Sequence, residues 1–176
     1  MKNRIFSVRE LVFIALFAAV IAISAWIAIP AAVSFTMQTF AVFCSVGILG
    51  TKCAVAATTV YILLGTVGLP VFTGFRGGVG ILFAVNGGYI IGFVFAALVS
   101  GALISLFGRK LPSLIFSMCV GMVACYLFGC IWFCSLQKAS LPSALISGVL
   151  PYIPFDIIKI LLAAMVTSRI GKVKRL

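Results

Sequence analysis

Long apolar runs, separated by short stretches rich in glycine, proline or charge, set the pattern of this 176-residue chain. A helix needs roughly 20 apolar residues to cross a hydrocarbon core of about 30 Å. On that measure the runs predict six transmembrane helices, at residues 11–29, 40–49, 53–67, 87–107, 113–134 and 143–170. The expected fold is all-α: a polytopic membrane protein built as a single transmembrane domain. The second run is short, with Gln38 at its edge. The last is long and carries Pro151 and Pro154, which predicts a kink or a short outer helix before the main span. Pro154 suits a first helical turn, where its missing N–H costs no hydrogen bond.

Composition sharpens this reading. Hydrophobic residues make up 64% of the chain and charged residues 9%, and mean hydropathy is +1.35. A soluble domain needs a far more polar surface, and the loops leave no room for a soluble catalytic domain. Lys2, Arg4 and Arg9 precede the first run as they would in a secretory signal. That run is too long for a signal's apolar core and lacks a cleavage pattern, so it reads as a retained helix.

The net charge of +11 suggests nucleic acid only until its distribution is read. With the N-terminus inside, the inner side collects Lys2, Arg4, Arg9, Lys52, Arg109, Lys110, Arg169, Lys172, Lys174 and Arg175. The outer side keeps Arg76 and Lys138, and Lys159 falls inside the last span. This asymmetry predicts a multi-pass protein of the cell (inner) membrane with both termini cytoplasmic. The six cysteines show no metal-binding spacing, there is no histidine, and small polarizable packing residues explain them.

Small residues recur every four positions at Gly88, Gly92, Ala96 and Ser100, and again at Gly121, Cys125 and Gly129. Such spacing lets helix backbones approach closely in lipid, so both stripes predict internal packing seams. Ala15 and Ala19, with Ala18 and Ala22 beside them, form a similar face that, taken alone, reads as another seam.

Two acids are present. Glu10 lies at the inner mouth of the first span, where a solvated position suffices. Asp156 sits between Phe155 and Ile157 in an apolar run, three residues before Lys159. Positions i and i+3 share a helix face, so carboxylate and ammonium can meet. Ionisable groups at membrane depth face the bundle interior or a wet cavity. The pair serves either to fix helix rotation or to bind a ligand. Its place in the outer half of the last helix, below the long outer loop at residues 68–86, favours the ligand. That loop is glycine-rich, with Phe72 and Phe75 as apolar caps. The outer segment at residues 30–39 adds Thr36, Gln38 and Thr39. Gln38, Arg76, Asn86, Tyr89, Asp156 and Lys159 are thus expected at one mouth, as few polar groups in an apolar pocket. No nucleophile–base pair or carboxylate pair is evident, which argues against an enzyme and for a binding device.

At this point the residues resemble a known family. Phe35-Thr36-Met37-Gln38-Thr39, the stretch from Tyr61 to Phe72, Gly87-Gly88-Tyr89 followed by Gly92, and Pro154-Phe155-Asp156-Ile157-Ile158-Lys159 together look like BioY, over about residues 10–170. BioY is the biotin-specific substrate-binding component (S-component) of energy-coupling-factor transporters. The resemblance implies a six-helix S-component that captures biotin from outside, with energy supplied by a transmembrane coupling subunit and two cytoplasmic ATPase subunits. It also implies that Ala15-x-x-x-Ala19 docks on the coupling subunit, reversing the seam reading. Biotin fits the residue inventory. Asp156 can accept ureido N–H bonds, Asn86 or Gln38 can donate to the carbonyl, and Tyr89 can pack on the bicycle. Arg76 can meet the carboxylate if Lys159 is occupied with Asp156. Two departures stand out: Ala84-Val85-Asn86 replaces a Gly-Pro-Thr-like stretch, and Phe75-Arg76 occupies a place where small residues are common. Alternatives are an S-component for another vitamin, a self-sufficient transporter, and a membrane protein without a ligand.

Overall fold

The computed structural model describes residues 6–29 and 34–173, with side chains to residue 170. Lys2, Arg4, Lys174, Arg175 and the first part of the outer segment at 30–39 lie outside these residues. The chain runs α1 (Val8–Trp26), β1 (Ala28–Ile29), β2 (Phe35–Thr36), α2 (Gln38–Leu49), α3 (Thr51–Thr66), α4 (Gly87–Phe107), α5 (Leu111–Gln137), α6 (Leu141–Gly148) and α7 (Ile153–Val173). A single 3-10 turn at Val79–Ile81 lies in the long loop.

Local chemistry explains most boundaries. Ser7 and Glu10 form a reciprocal capping box at the start of α1: the Ser7 hydroxyl accepts from the Glu10 N–H, and Glu10 accepts from the Ser7 N–H at 2.7 Å. Two orphan donors of the first turn are satisfied in this way. Gly50, at φ 82°, ends α2 and immediately opens α3. This left-handed backbone conformation is cheap only for glycine, and here it makes a helical hairpin with a one-residue corner. Pro112, Pro142 and Pro154 each stand in the first turn of a helix. The expected interruption of the last run is present as α6 and α7, bent by 58°.

By length and composition α1, α4 and α5 can each cross a membrane, and α6 with α7 forms a fourth, broken span. The other two runs expected to span form shorter helices of 12 and 16 residues, about 18 and 24 Å at 1.5 Å per residue. Burial explains how so short a helix as α2 is tolerated. Nearly every residue from Gln38 to Gly47 is buried, and α2 packs on α1, α3, α4 and α7. It is the centre of the bundle, and its first turn lies at the level of the site described below. By contrast Leu11, Leu16, Ile23, Leu127, Ile131 and Ile158 are exposed, as suits helices facing acyl chains.

The two small-residue stripes meet each other. A Cβ on Gly121 would lie 2.8 Å from the Ala96 carbonyl oxygen, and one on Gly92 2.9 Å from Cys125 Sγ. The α4–α5 seam is therefore as close as two backbones allow. Farther out, Gly129 receives the Tyr89 ring and so sets where that ring stands.

The long loop before α4 is held by side chains at both ends. Phe72 is buried on Gly65, where a Cβ would lie 2.2 Å from the ring, and it meets Tyr61 edge-on. The Trp26 indole donates to the Pro70 carbonyl at 3.1 Å and stacks on Phe75. The Trp132 indole donates to the Ala84 carbonyl at 3.3 Å. Both tryptophans of the chain thus tie the loop to helix ends.

Because the obstacle at Gly121 includes backbone, Gly121→Val is expected to destabilise the protein by about 1–3 kcal/mol through overpacking. Thermal unfolding of the detergent-solubilised variant, followed by loss of monodisperse protein, measures this. An unchanged midpoint would mean that α4 and α5 are not in close contact at this level.

Candidate ligand-binding site

The site is built where α7 enters the bundle against the first turn of α2. Asp156 and Lys159 are 5% and 4% exposed, and Lys159 Nζ lies 2.8 Å from Asp156 Oδ1. Lys159 also donates to the Thr36 carbonyl at 2.7 Å and to Thr39 Oγ1 at 3.3 Å. Its ammonium stands 3.8 Å from the Phe35 ring centroid, a favourable contact of cation with π-face. Three donors and one ring face are therefore engaged, which compensates the desolvation of a buried ammonium.

Asp156 is served from two more elements. Thr39 Oγ1 donates to Oδ1 at 3.3 Å, and the Tyr126 hydroxyl of α5 donates to Oδ2. The pair thus joins β2, α2, α5 and α7. The β1–β2 ribbon, with Ala28 opposite Thr36, fixes the Thr36 carbonyl that Lys159 needs.

These groups line a chamber of about 50 Å3. Its aromatic walls are Phe35, Tyr89, Phe93, Tyr126 and Tyr152, and Asp156 and Lys159 supply its ionisable groups. A second space of about 490 Å3 lies on the other side of Tyr126, between α5 and the α6–α7 pair. It is lined almost wholly by aliphatic side chains such as Leu127, Ile131, Leu145 and Ile157. Chemically, the chamber offers a carboxylate to N–H donors and ring faces to an apolar body.

The six residues expected at this mouth divide in two. Asp156, Lys159 and Tyr89 line the chamber. Gln38, Asn86 and Arg76 are not among its lining residues. Gln38 is buried beside it, donating through Nε2 to the Tyr61 hydroxyl at 2.5 Å and accepting from Thr36 Oγ1 at 3.0 Å. Asn86 precedes α4 and donates to Ser34 Oγ at 3.4 Å, while its buried Oδ1 has no partner among the described residues. Arg76 is exposed on the loop, its backbone paired with Phe72.

Tyr126 went unnoticed in the sequence, together with Phe35, Phe93 and Tyr152 as chamber walls. One signal was available: a tyrosine inside a lipid-spanning run must find a partner for its hydroxyl. Of the chain's four tyrosines, Tyr61 serves Gln38 and the other three line the chamber.

Comparison with known proteins agrees with this architecture. The BioY family model matches residues 1–175. The biotin transporter BioY of Thermotoga maritima is 35% identical over 170 residues, covering 94% of this chain and 98% of that protein. A probable biotin transporter BioY of Pyrococcus horikoshii is 33% identical over 163 residues, covering 92% and 96% respectively. Among solved structures, the S-component for biotin from an ECF-type ABC transporter superposes with a TM-score of 0.86 at 27% identity, over 94% of this chain and 92% of that one. The chain is a multi-pass membrane protein and belongs to the BioY family.

Proposed function

We propose that this chain is the S-component of an energy-coupling-factor transporter, that it captures biotin from the outer side, and that Asp156 is the group that recognises the ligand. The observation that carries this reading is a buried, multiply hydrogen-bonded ion pair facing an aromatic chamber in a chain of the BioY family. It is a transporter component and not an enzyme.

Biotin presents two ureido N–H donors, a carbonyl acceptor, an apolar bicycle and a carboxylate tail. Asp156 accepts from the ureido N–H groups through charge-assisted bonds, and Tyr89 packs on the bicycle. All three Lys159 donors are engaged, so the pair divides its work: Asp156 meets the ligand while Lys159 holds the carboxylate in place. Asn86, whose amide oxygen lacks a partner among the described residues, or Gln38 answers the ureido group from the loop side. Arg76, exposed on the outer loop, meets the tail carboxylate.

In the membrane the two short helices complete the count of six spans, with both termini cytoplasmic and the loop outside. Ala15 and Ala19 are exposed on α1, whereas Ala18 and Ala22 are buried. A small-residue face left uncovered by its own bundle suits close docking of a coupling-subunit helix, and two cytoplasmic ATPases then drive the cycle.

Calorimetric titration of the purified chain with biotin tests the core of this reading, and absence of binding would refute it. Asp156→Asn is expected to weaken biotin binding about 10- to 100-fold, the worth of lost charged hydrogen bonds, in protein that remains monodisperse. Unchanged affinity would return Asp156 to a purely structural role. Arg76→Ala should weaken biotin about tenfold, within the range for one charged hydrogen bond, and leave a neutral biotin amide almost untouched; equal losses would remove Arg76 from the site. Ala15→Trp with Ala19→Trp should preserve biotin binding and abolish ATP-driven uptake by the assembled transporter. Normal uptake by that variant would place docking elsewhere.

A further inference from the structure

The two spaces flanking Tyr126 are mismatched to any vitamin-sized ligand. Binding sites for small molecules usually enclose about 300–1,000 Å3. The chamber, which holds the polar groups, encloses about 50 Å3. The adjoining groove has ample room at about 490 Å3, but Asp156 and Tyr126 bring its only strongly polar side-chain atoms. Met122, Tyr126 and Asp156 line both spaces and so form the wall between them.

That wall is held shut by one bond. The Tyr126 hydroxyl donates to Asp156 Oδ2, whereas Oδ1 is taken by Lys159 and Thr39. Oδ2 is therefore the carboxylate oxygen with spare acceptor capacity, and a tyrosine hydroxyl is its one described partner. Beside it stands Met122, whose unbranched thioether side chain repacks easily. A ring turning away from Asp156 enters the groove by displacing the acyl chains that Leu127 and Ile131 face; the chamber side offers no comparable space.

We propose that Tyr126 is a latch: a ligand N–H that takes Asp156 Oδ2 displaces the tyrosine hydroxyl, the ring swings toward the α5–α6–α7 groove, and chamber and groove become one binding cavity. The inference rests on the biotin reading for the identity of the N–H donor. It adds a moving part that neither space alone explains. In this scheme the Tyr126 hydroxyl competes with the ligand and does not orient the carboxylate for it.

The sign of one substitution decides between these roles. Tyr126→Phe keeps the ring as a wall and removes the latch. Stopped-flow and equilibrium titration with biotin should then show association faster, and affinity higher, by about three- to tenfold, the equivalent of one net hydrogen bond. Equal or weaker binding by Tyr126→Phe, with unchanged wild-type binding, would overturn the latch and leave the proposed function standing. Failure of the wild type to bind biotin would instead refute the proposed function, and the latch is then read without ligand. In a chain retaining Cys125 alone among its six cysteines, a thiol that lines the chamber and is 1% exposed, Tyr126→Phe should speed alkylation by N-ethylmaleimide several-fold. An unchanged rate in that chain overturns the latch.

Discussion

The polar groups where α7 meets α2 are arranged around the cost of keeping one ion pair out of water. Asp156 and Lys159 share a helix face by their spacing alone, but an isolated pair in apolar surroundings does not recover its desolvation. The remaining hydrogen-bond capacity has to be filled from other elements. Thr36 brings a carbonyl from β2, Thr39 a hydroxyl from α2, and Tyr126 a phenol from α5. Phe35 adds a π-face. The pair consequently positions four elements relative to one another, and the chamber is the space they leave.

This dependence explains why α2 is short and central. A longer helix at the middle of the bundle would carry its first turn past the pair. Starting at Gln38, it delivers Gln38 and Thr39 at the pair's depth, and the segment before it folds back as the β1–β2 ribbon. The α4–α5 seam does related work on the opposite side. Glycines at 92 and 121 draw the two helices together, and Gly129 admits the Tyr89 ring to the chamber wall. Backbone proximity, and not side-chain volume, sets the chamber's width there.

What could be read beforehand follows from range. Helix positions, the proline break between α6 and α7, the two small-residue stripes as packing seams and the Asp156–Lys159 contact all depend on spacing within one segment. Partnerships across the fold do not. Nothing near Tyr126 in sequence announces that it meets Asp156, 30 residues away, and Gln38 turns to Tyr61 by a choice of rotamer that periodicity does not encode. Arg76 and Asn86 stand in irregular backbone, where no period fixes the direction of a side chain. The two-residue strands of the ribbon are too short to show alternation. The apolar runs at 40–49 and 53–67 are visible as helices, but run composition does not distinguish a helix sheltered by its neighbours from one that must reach both surfaces.

The one-residue corner at Gly50 also has a consequence for the surrounding lipid. Because α2 is enclosed, α3 is the arm of that hairpin which meets the acyl chains, and its 16 residues give an apolar band about 24 Å tall. On the far side α5, with 27 residues, extends about 40 Å, well beyond a hydrocarbon core of about 30 Å. Mismatch of this kind is accommodated by local thinning, thickening or tilt. The two flanks therefore match different hydrocarbon thicknesses, an asymmetry that belongs to the fold and owes nothing to a bound ligand.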